Sequence, residues 1–130
     1  MVYLLIGMKS ATAAAPRGRP RAFDPDAALG RAMHVYTAET DSKARGKWLN
    51  SLNKIRELKP SVVIPGHSKV GAPLDASTAV DFTENYLLVF EEELKKSKDP
   101  DSLINTMKER FPSADFVLAI ERGAKANVKP

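Results

Sequence analysis

The chain has two histidines, and one of them, His67, stands where a side chain could bind a metal ion. It follows the apolar residues 62–64 and a Pro-Gly turn at residues 65–66. A histidine at the end of a strand has a rigid base, and the glycine leaves open space around it. Because neutral imidazole is the commonest metal ligand, this pattern favours a catalytic metal ligand at His67. The alternative is a loop histidine without a chemical role.

Further ligands must come from the second histidine and from carboxylates, because the chain has no cysteine. The candidates are His34, Glu39, Asp41 and Asp75. A core position is the stronger interpretation of His34 taken alone, and a helix cap is the stronger interpretation of Asp41 and Asp75. A site of imidazole and carboxylate groups suits Mn²⁺ or Zn²⁺, with Fe also possible.

The charge balance indicates the kind of substrate. The chain carries 20 Lys and Arg against 16 Asp and Glu, a formal net charge of +4. Such a balance favours anionic partners such as phosphate esters, although a solvated basic surface explains it equally well. We expect Lys69, two residues after His67, to contact the phosphate of a small anionic substrate.

Helix signals occupy most of the chain. Aspartates at positions 24, 41, 75 and 99 each precede a helical pattern and are typical N-caps. A final helix begins near Ala114, with Gly123 as its C-cap and a frayed tail at residues 124–130. The predicted helices cover about residues 25–33, 42–59, 76–96, 100–111 and 114–122.

Two short strands are predicted, at residues 2–6 and 61–64, which makes the fold class α+β and helix-dominated. The second strand needs a partner for its backbone groups, either the strand at residues 2–6 or a strand of another chain. Residues 82–90 form a wide apolar face, as expected for a helix that is either central or at a subunit contact. Both features predict a homo-oligomer that completes the fold. We expect residues 1–23 to be an N-terminal strand with a flexible basic linker, and residues 24–130 to be one small domain.

The apolar start of the chain, residues 1–8, is too short to span a bilayer. Its order of charge and apolar residues is not that of an export signal. The sequence therefore predicts a protein without a membrane partner. The absence of cysteine is compatible with the cytoplasm, where we expect the protein to act.

A longer pattern surrounds His67. Trp48 and Leu52 lie on one helix, Leu58 and Pro60 form the following turn, and a strand then leads into Pro-Gly-His67. This arrangement resembles the C-terminal region of metallo-β-lactamase-fold hydrolases, over about residues 34–130. In that family the loop histidine is a metal ligand, so the resemblance implies that role for His67. The histidine-rich motif of the family's earlier half does not occur here, so further ligands would come from a neighbouring subunit.

Residues 17–33 carry a different pattern, in which a basic arm with Arg17, Arg19 and Arg21 precedes a helix. This pattern resembles the very start of TetR-family repressors, but no recognition helix follows it. An arm alone implies weak, salt-sensitive binding of nucleic acid. The chain therefore looks like a fusion of two truncated fragments.

These observations predict a metal-dependent hydrolase of phosphodiesters, of the small or cyclic-nucleotide type, with its site assembled in a homo-oligomer. The metal would activate water for attack on the substrate. A β-lactam or lactone substrate does not need the positive charge, so a phosphodiesterase is favoured over both other activities. The alternative is a non-specific nucleic-acid-binding or regulatory fragment without catalysis.

Overall fold

The computed structural model describes residues 33–63, 67, 69–71 and 75–129, and it contains four helices in this part of the chain. No helix among these residues is long and apolar enough to cross a membrane. The helices are α1 (Ser42–Glu57), α2 (Ala76–Lys96), α3 (Pro100–Arg110) and α4 (Val117–Asn127).

The first three helices begin where their capping residues predict. Asp41, Asp75 and Asp99 are the N-caps of α1, α2 and α3. Each carboxylate accepts a hydrogen bond of 2.7 or 2.8 Å from the backbone N–H three residues further on. This contact satisfies one of the N–H groups that the first turn of a helix leaves without a partner. The three predicted starts are confirmed.

The predicted bounds of the last helix are wrong. Helix α4 begins at Val117 rather than near Ala114, and it runs through Gly123 to Asn127. Gly123 is buried, and a Cβ atom placed on it would overlap Thr37 Oγ1. The glycine therefore permits close packing inside the helix and does not end it. Val128, predicted to lie in a frayed tail, is buried as well.

The predicted α+β class is wrong, because the described part of the chain contains no strand. Its extended segments form two isolated bridges, one between Val62 and Asp75 and one between Met33 and Asp115. Val63 packs in the core beside α1 and α2, whereas Val62 is 53% exposed, so the described residues of the predicted strand 61–64 are not part of a sheet. The predicted strand at residues 2–6 and nearly all of the helix at residues 25–33 lie outside the described residues.

Helix α2 lies at the centre of the core. One side packs with α1 and the other with α3 and α4, so two apolar clusters meet on this helix. The residues of α2 that are buried by these contacts are Val80, Tyr86, Leu87, Val89, Phe90 and Glu93. The wide apolar face that suggested a subunit contact is thus covered largely by the same chain, although Leu88 stays 52% exposed.

Candidate functional site

His67 is exposed, and its imidazole lies against the side chain of Phe116. The two rings are stacked, with centroids 5.1 Å apart and planes inclined by 18°. Phe116 immediately precedes α4 and has a left-handed backbone, with φ 62° and ψ 48°. The structure therefore places His67 where a molecule in solution could reach it.

Lys69 holds the same loop through a second contact. Its ammonium donates a hydrogen bond of 2.8 Å to the carbonyl oxygen of Ser113 and lies 3.0 Å from Asp115 Oδ2. The residue predicted to bind phosphate is thus paired with an acidic side chain. An ammonium has three N–H donors, so a third remains for another acceptor.

Residues 113–116, which we call the 113–116 turn, contact two separate parts of the chain. They bind the loop at His67 and Lys69. They also pair with the start of the described chain, where the backbone N–H of His34 donates to the carbonyl oxygen of Asp115 at 2.8 Å. The pattern of residues 114–122 predicted a helix here, and left-handed backbone at a phenylalanine has no sequence signal that could have revealed the turn.

His34 occupies the core. It is 2% exposed, and its Nδ1 lies 3.0 Å from Tyr86 Oη, within hydrogen-bond distance. Burial lowers the pKa of His34 to about 4, with a further contribution from the positive charge of Lys108. Burial likewise raises the pKa of Tyr86 above its usual range. The imidazole is therefore neutral at pH 7, and its surroundings are those of a structural histidine.

Two of the three carboxylates proposed as metal ligands cap helices: Asp41 is the N-cap of α1 and Asp75 is the N-cap of α2. Desolvation raises the pKa of the Asp75 carboxyl, but hydrogen bonds from Thr78 and Ser77 outweigh this effect, so the pKa is lowered overall. Glu39 is exposed. Within the described ranges, no three or more His, Cys, Asp or Glu side chains are grouped so that they could hold a metal ion. The structure therefore does not assemble the five predicted ligands into one site.

A second polar cluster, which sequence reasoning missed, surrounds Arg45 of α1. This side chain is 1% exposed and forms an ion pair with Glu91. Its Nη1 donates to the carbonyl oxygen of Thr40 and, at 2.8 Å, to Asn127 Oδ1. The guanidinium also lies 5.1 Å from the ring centre of Phe90. We call these residues the Arg45 junction, because they join α1, α2 and α4 to the segment before α1.

No protein-family profile matches this chain, and searches of the curated proteins and of the solved structures find no similar protein. The resemblances to metallo-β-lactamase-fold hydrolases and to TetR-family repressors therefore stay predictions. The geometry of the described residues must carry any functional proposal.

Proposed function

We propose that the protein is a metal-dependent hydrolase of phosphodiesters, with His67 as one ligand of a divalent metal such as Mn²⁺ or Zn²⁺. The observation that carries this proposal is the exposed imidazole of His67, which is held against Phe116. A metal ligand needs a neutral nitrogen that the ion can reach and a ring whose direction is constrained. His34 does not meet the first condition, because it is buried beside Tyr86.

The donor set of the described residues fits such a metal only in part. His67 suits the role of a ligand, and exposed Glu39 stays a candidate, whereas Asp41 and Asp75 are used in helix caps. Since these residues contain no group of three donors, we propose that the site is completed in a homo-oligomer. A bound divalent ion would supply Lewis-acid activation of water and of the scissile group.

Charge supports a phosphodiester over a neutral substrate. The chain has a formal net charge of +4, and Lys69 lies two residues from His67. Ser113 and Asp115 hold the Lys69 ammonium at the 113–116 turn, and its third N–H could donate to a phosphate oxygen. A phosphodiester would gain from the net positive charge of the chain, whereas a lactone would not. We place this reaction in the cytoplasm, because a chain without cysteine is compatible with that reducing compartment.

The decisive experiment compares wild type with His67→Ala on bis(4-nitrophenyl) phosphate after chelation and addition of Mn²⁺ or Zn²⁺. We expect chelation to abolish turnover, either ion to restore it, and His67→Ala to lose it while circular dichroism shows a folded protein. His34→Gln is the matched control, because it removes the other imidazole and should keep activity. A folded His67→Ala variant with normal turnover would refute the role of His67.

The oligomer and the metal are tested on the same sample by native mass and metal analysis. We expect more than one subunit and bound metal in that species. If wild type neither binds metal nor hydrolyses the diester, the interpretation as a nucleic-acid-binding or regulatory fragment without catalysis becomes the better one. A folded monomer at micromolar concentration that is fully active would refute assembly of the site between chains.

Deletion of the basic arm, residues 10–21, tests whether its arginines bind the substrate. Residues 10–21 lie outside the described residues and contain neither histidine nor a carboxylate. We expect their deletion to leave turnover unchanged. Complete loss of turnover with the oligomer intact would instead mean that the arginines of this segment bind the substrate.

A further inference from the structure

We propose that the outer face of α1 binds the phosphate backbone of duplex nucleic acid. We call this surface the lysine face, and its exposed residues are Lys43, Gly46, Lys47, Asn50 and Lys54. The inference goes beyond the proposed function, because it involves neither His67 nor a bound metal. It rests on three observations: the division of charge on α1, the charge in the first turn of this helix, and the glycine in its interior.

The basic side chains of α1 fall into two groups. The arginines, Arg45 and Arg56, form ion pairs with carboxylates of α2. The lysines of the lysine face take part in none of the ion pairs between described residues. By helix geometry, these lysines lie within about 40° of one another around the axis and span about 16 Å along it. The acidic residue of α1, Glu57, comes only at its end. The lysine face is thus a row of positive charge.

Local helix stability explains neither the charge of the first turn nor the glycine. Lys43 lies in the first turn of α1, which has no acidic residue, although the helix dipole favours negative charge there. Gly46 is exposed inside the helix, and a Cβ atom placed on it would meet no other part of the described structure within 4 Å. Alanine would fit this position and would stabilise the helix better than glycine does. Both residues therefore fit a role outside the packing of this chain.

Close approach of an anionic partner accounts for both residues. Because Gly46 has no side chain, the surface of another molecule can come near the helix backbone. Duplex nucleic acid carries about one negative charge per 1.7 Å of its axis, so a row of lysines meets several phosphates at once. Lysine and asparagine side chains both contact phosphate oxygens. The formal net charge of +4 adds a long-range attraction to such a partner.

The chemistry of the lysine face favours a duplex over a single strand. Proteins that bind single strands stack the bases on aromatic side chains. The aromatic residue of α1, Trp48, packs against the core beside Leu52 and is not part of the lysine face. Phosphate contacts are the same in every sequence, because they carry no information about the bases. We therefore expect binding to the backbone of a duplex without sequence preference.

Fluorescence anisotropy of a labelled DNA duplex of mixed sequence tests the lysine face in the full chain. The lysine-face variant combines K43Q, K47Q and K54Q, and glutamine keeps the helix propensity. At low salt we expect this variant to bind on the order of 100-fold more weakly than wild type. The slope of log affinity against log salt should decrease by about 2 to 3, because each phosphate contact contributes about 0.9. Circular dichroism checks that the variant is folded.

A second triple variant removes the same charge from other exposed positions. It combines K95Q, K98Q and K125Q, whose lysines are exposed and lie outside α1. Because charges away from the contact are screened by salt, its affinity should change by less than about threefold. Should the lysine-face variant fail to fold, K47Q alone provides the test, with an expected decrease in slope of about 0.9.

Gly46→Gln tests the close approach without changing the charge. Glutamine is a good helix former, so the fold should persist, but its side chain lies where the duplex must come near. We expect severalfold weaker binding of the duplex. The matched control is Ala126→Gln, which adds a similar side chain to an exposed position of α4 and should bind like wild type. Equal affinity of Gly46→Gln and wild type would contradict a close approach at this helix.

Three results would overturn the inference. Wild type that binds no duplex at low salt would leave an acidic protein surface as the better partner. Equal losses in the two triple variants would mean that net charge alone, rather than the lysine face, determines binding. Tighter binding of a single strand of the same length would contradict the assignment to a duplex. None of these results depends on metal binding or on turnover of a small diester, so this inference and the proposed function fail separately.

Discussion

The Arg45 junction and the contact between His67 and Phe116 hold polar side chains in opposite ways. Arg45 is 1% exposed and is surrounded by acceptors from three parts of the chain. His67 is exposed, and one face of its ring rests on a single aromatic side chain. A buried charge must have its partners, so Arg45 organises the fold. An exposed imidazole can meet a ligand, so His67 is the better functional candidate.

This difference predicts how each region responds to substitution. Removing a group from the junction leaves buried partners without a hydrogen bond, and the free energy of unfolding should fall steeply. Removing His67 exposes the face of Phe116 but leaves no buried charge. Unfolding in urea, followed by fluorescence of the single tryptophan, Trp48, measures both effects on one scale.

The largest effect is expected for Arg45→Met, which keeps much of the side-chain length but removes the charge. Thr40 and Asn127 lose a donor, and Glu91 loses its partner. The free energy of unfolding should fall by about 3 kcal/mol or more. Arg56→Met is the control, because Arg56 pairs with Asp81 and Glu84 but is 37% exposed, and we expect a loss of about 1 kcal/mol or less. Equal losses would contradict the comparison.

The second effect is the pH dependence that His34 contributes. Its pKa is lowered to about 4 in the folded protein, against about 6.5 in an unfolded chain, so the unfolded state binds more protons between these values. The stabilisation is therefore complete above pH 6.5 and is lost as pH falls toward 4. The full difference is on the order of 3 kcal/mol.

Denaturation between pH 7.5 and 5 tests this, because most carboxylates have not yet titrated there. In His34→Gln the slope of unfolding free energy against pH should decrease by up to about 1.4 kcal/mol per pH unit. Charges near His34 include Asp115, which raises its pKa, and Lys108, which lowers it. Identical slopes for wild type and His34→Gln would mean that His34 is not held neutral by burial.

The third effect concerns the packing of α4 against Thr37, next to the Arg45 junction. Gly123→Ala should lower the free energy of unfolding by about 2 kcal/mol, because the new methyl group overlaps Thr37 Oγ1. Gly46→Ala is the matched control: it lies in α1 with open space at its Cβ position, so the protein should gain up to about 1 kcal/mol.

The double variant Thr37→Ala with Gly123→Ala sharpens this test. Removing Oγ1 leaves the two Cβ atoms 3.6 Å apart, an ordinary contact, so part of the lost stability should return. The hydroxyl of Thr37 has no hydrogen-bond partner among the described residues, so little is lost with it. Additive losses in the double variant would show that the overlap is not the cause.

The smallest effect on folding is expected for His67→Ala. It removes one exposed ring and its stacking on Phe116, so the free energy of unfolding should change by less than about 1 kcal/mol. A much larger loss, measured in the same urea titration, would make His67 a structural residue like His34. The contrast between the two regions would then disappear.

Local chemistry allowed the helices to be predicted. An aspartate cap satisfies backbone groups within its own turn, so the starts of α1, α2 and α3 could be read from three residues. The sequence also predicted open space around His67, whose side chain is exposed, while the two residues before it lie outside the described ranges. The ring contact of His67 with Phe116 could not be predicted, because Phe116 lies 49 residues further along the chain and no sequence motif marks it.

The sequence by itself thus determined where α1, α2 and α3 begin and which aspartates cap them, and it placed a histidine directly after Pro65 and Gly66. Only the tertiary structure decided that Arg45 is buried, that Gly123 lies inside a helix, and that Val62 pairs in a single bridge. The physical reason is distance along the chain. Helix caps and the spacing of apolar residues on a helix face act over three or four residues. Burial, close packing and ring contacts depend on partners that sequence spacing does not specify.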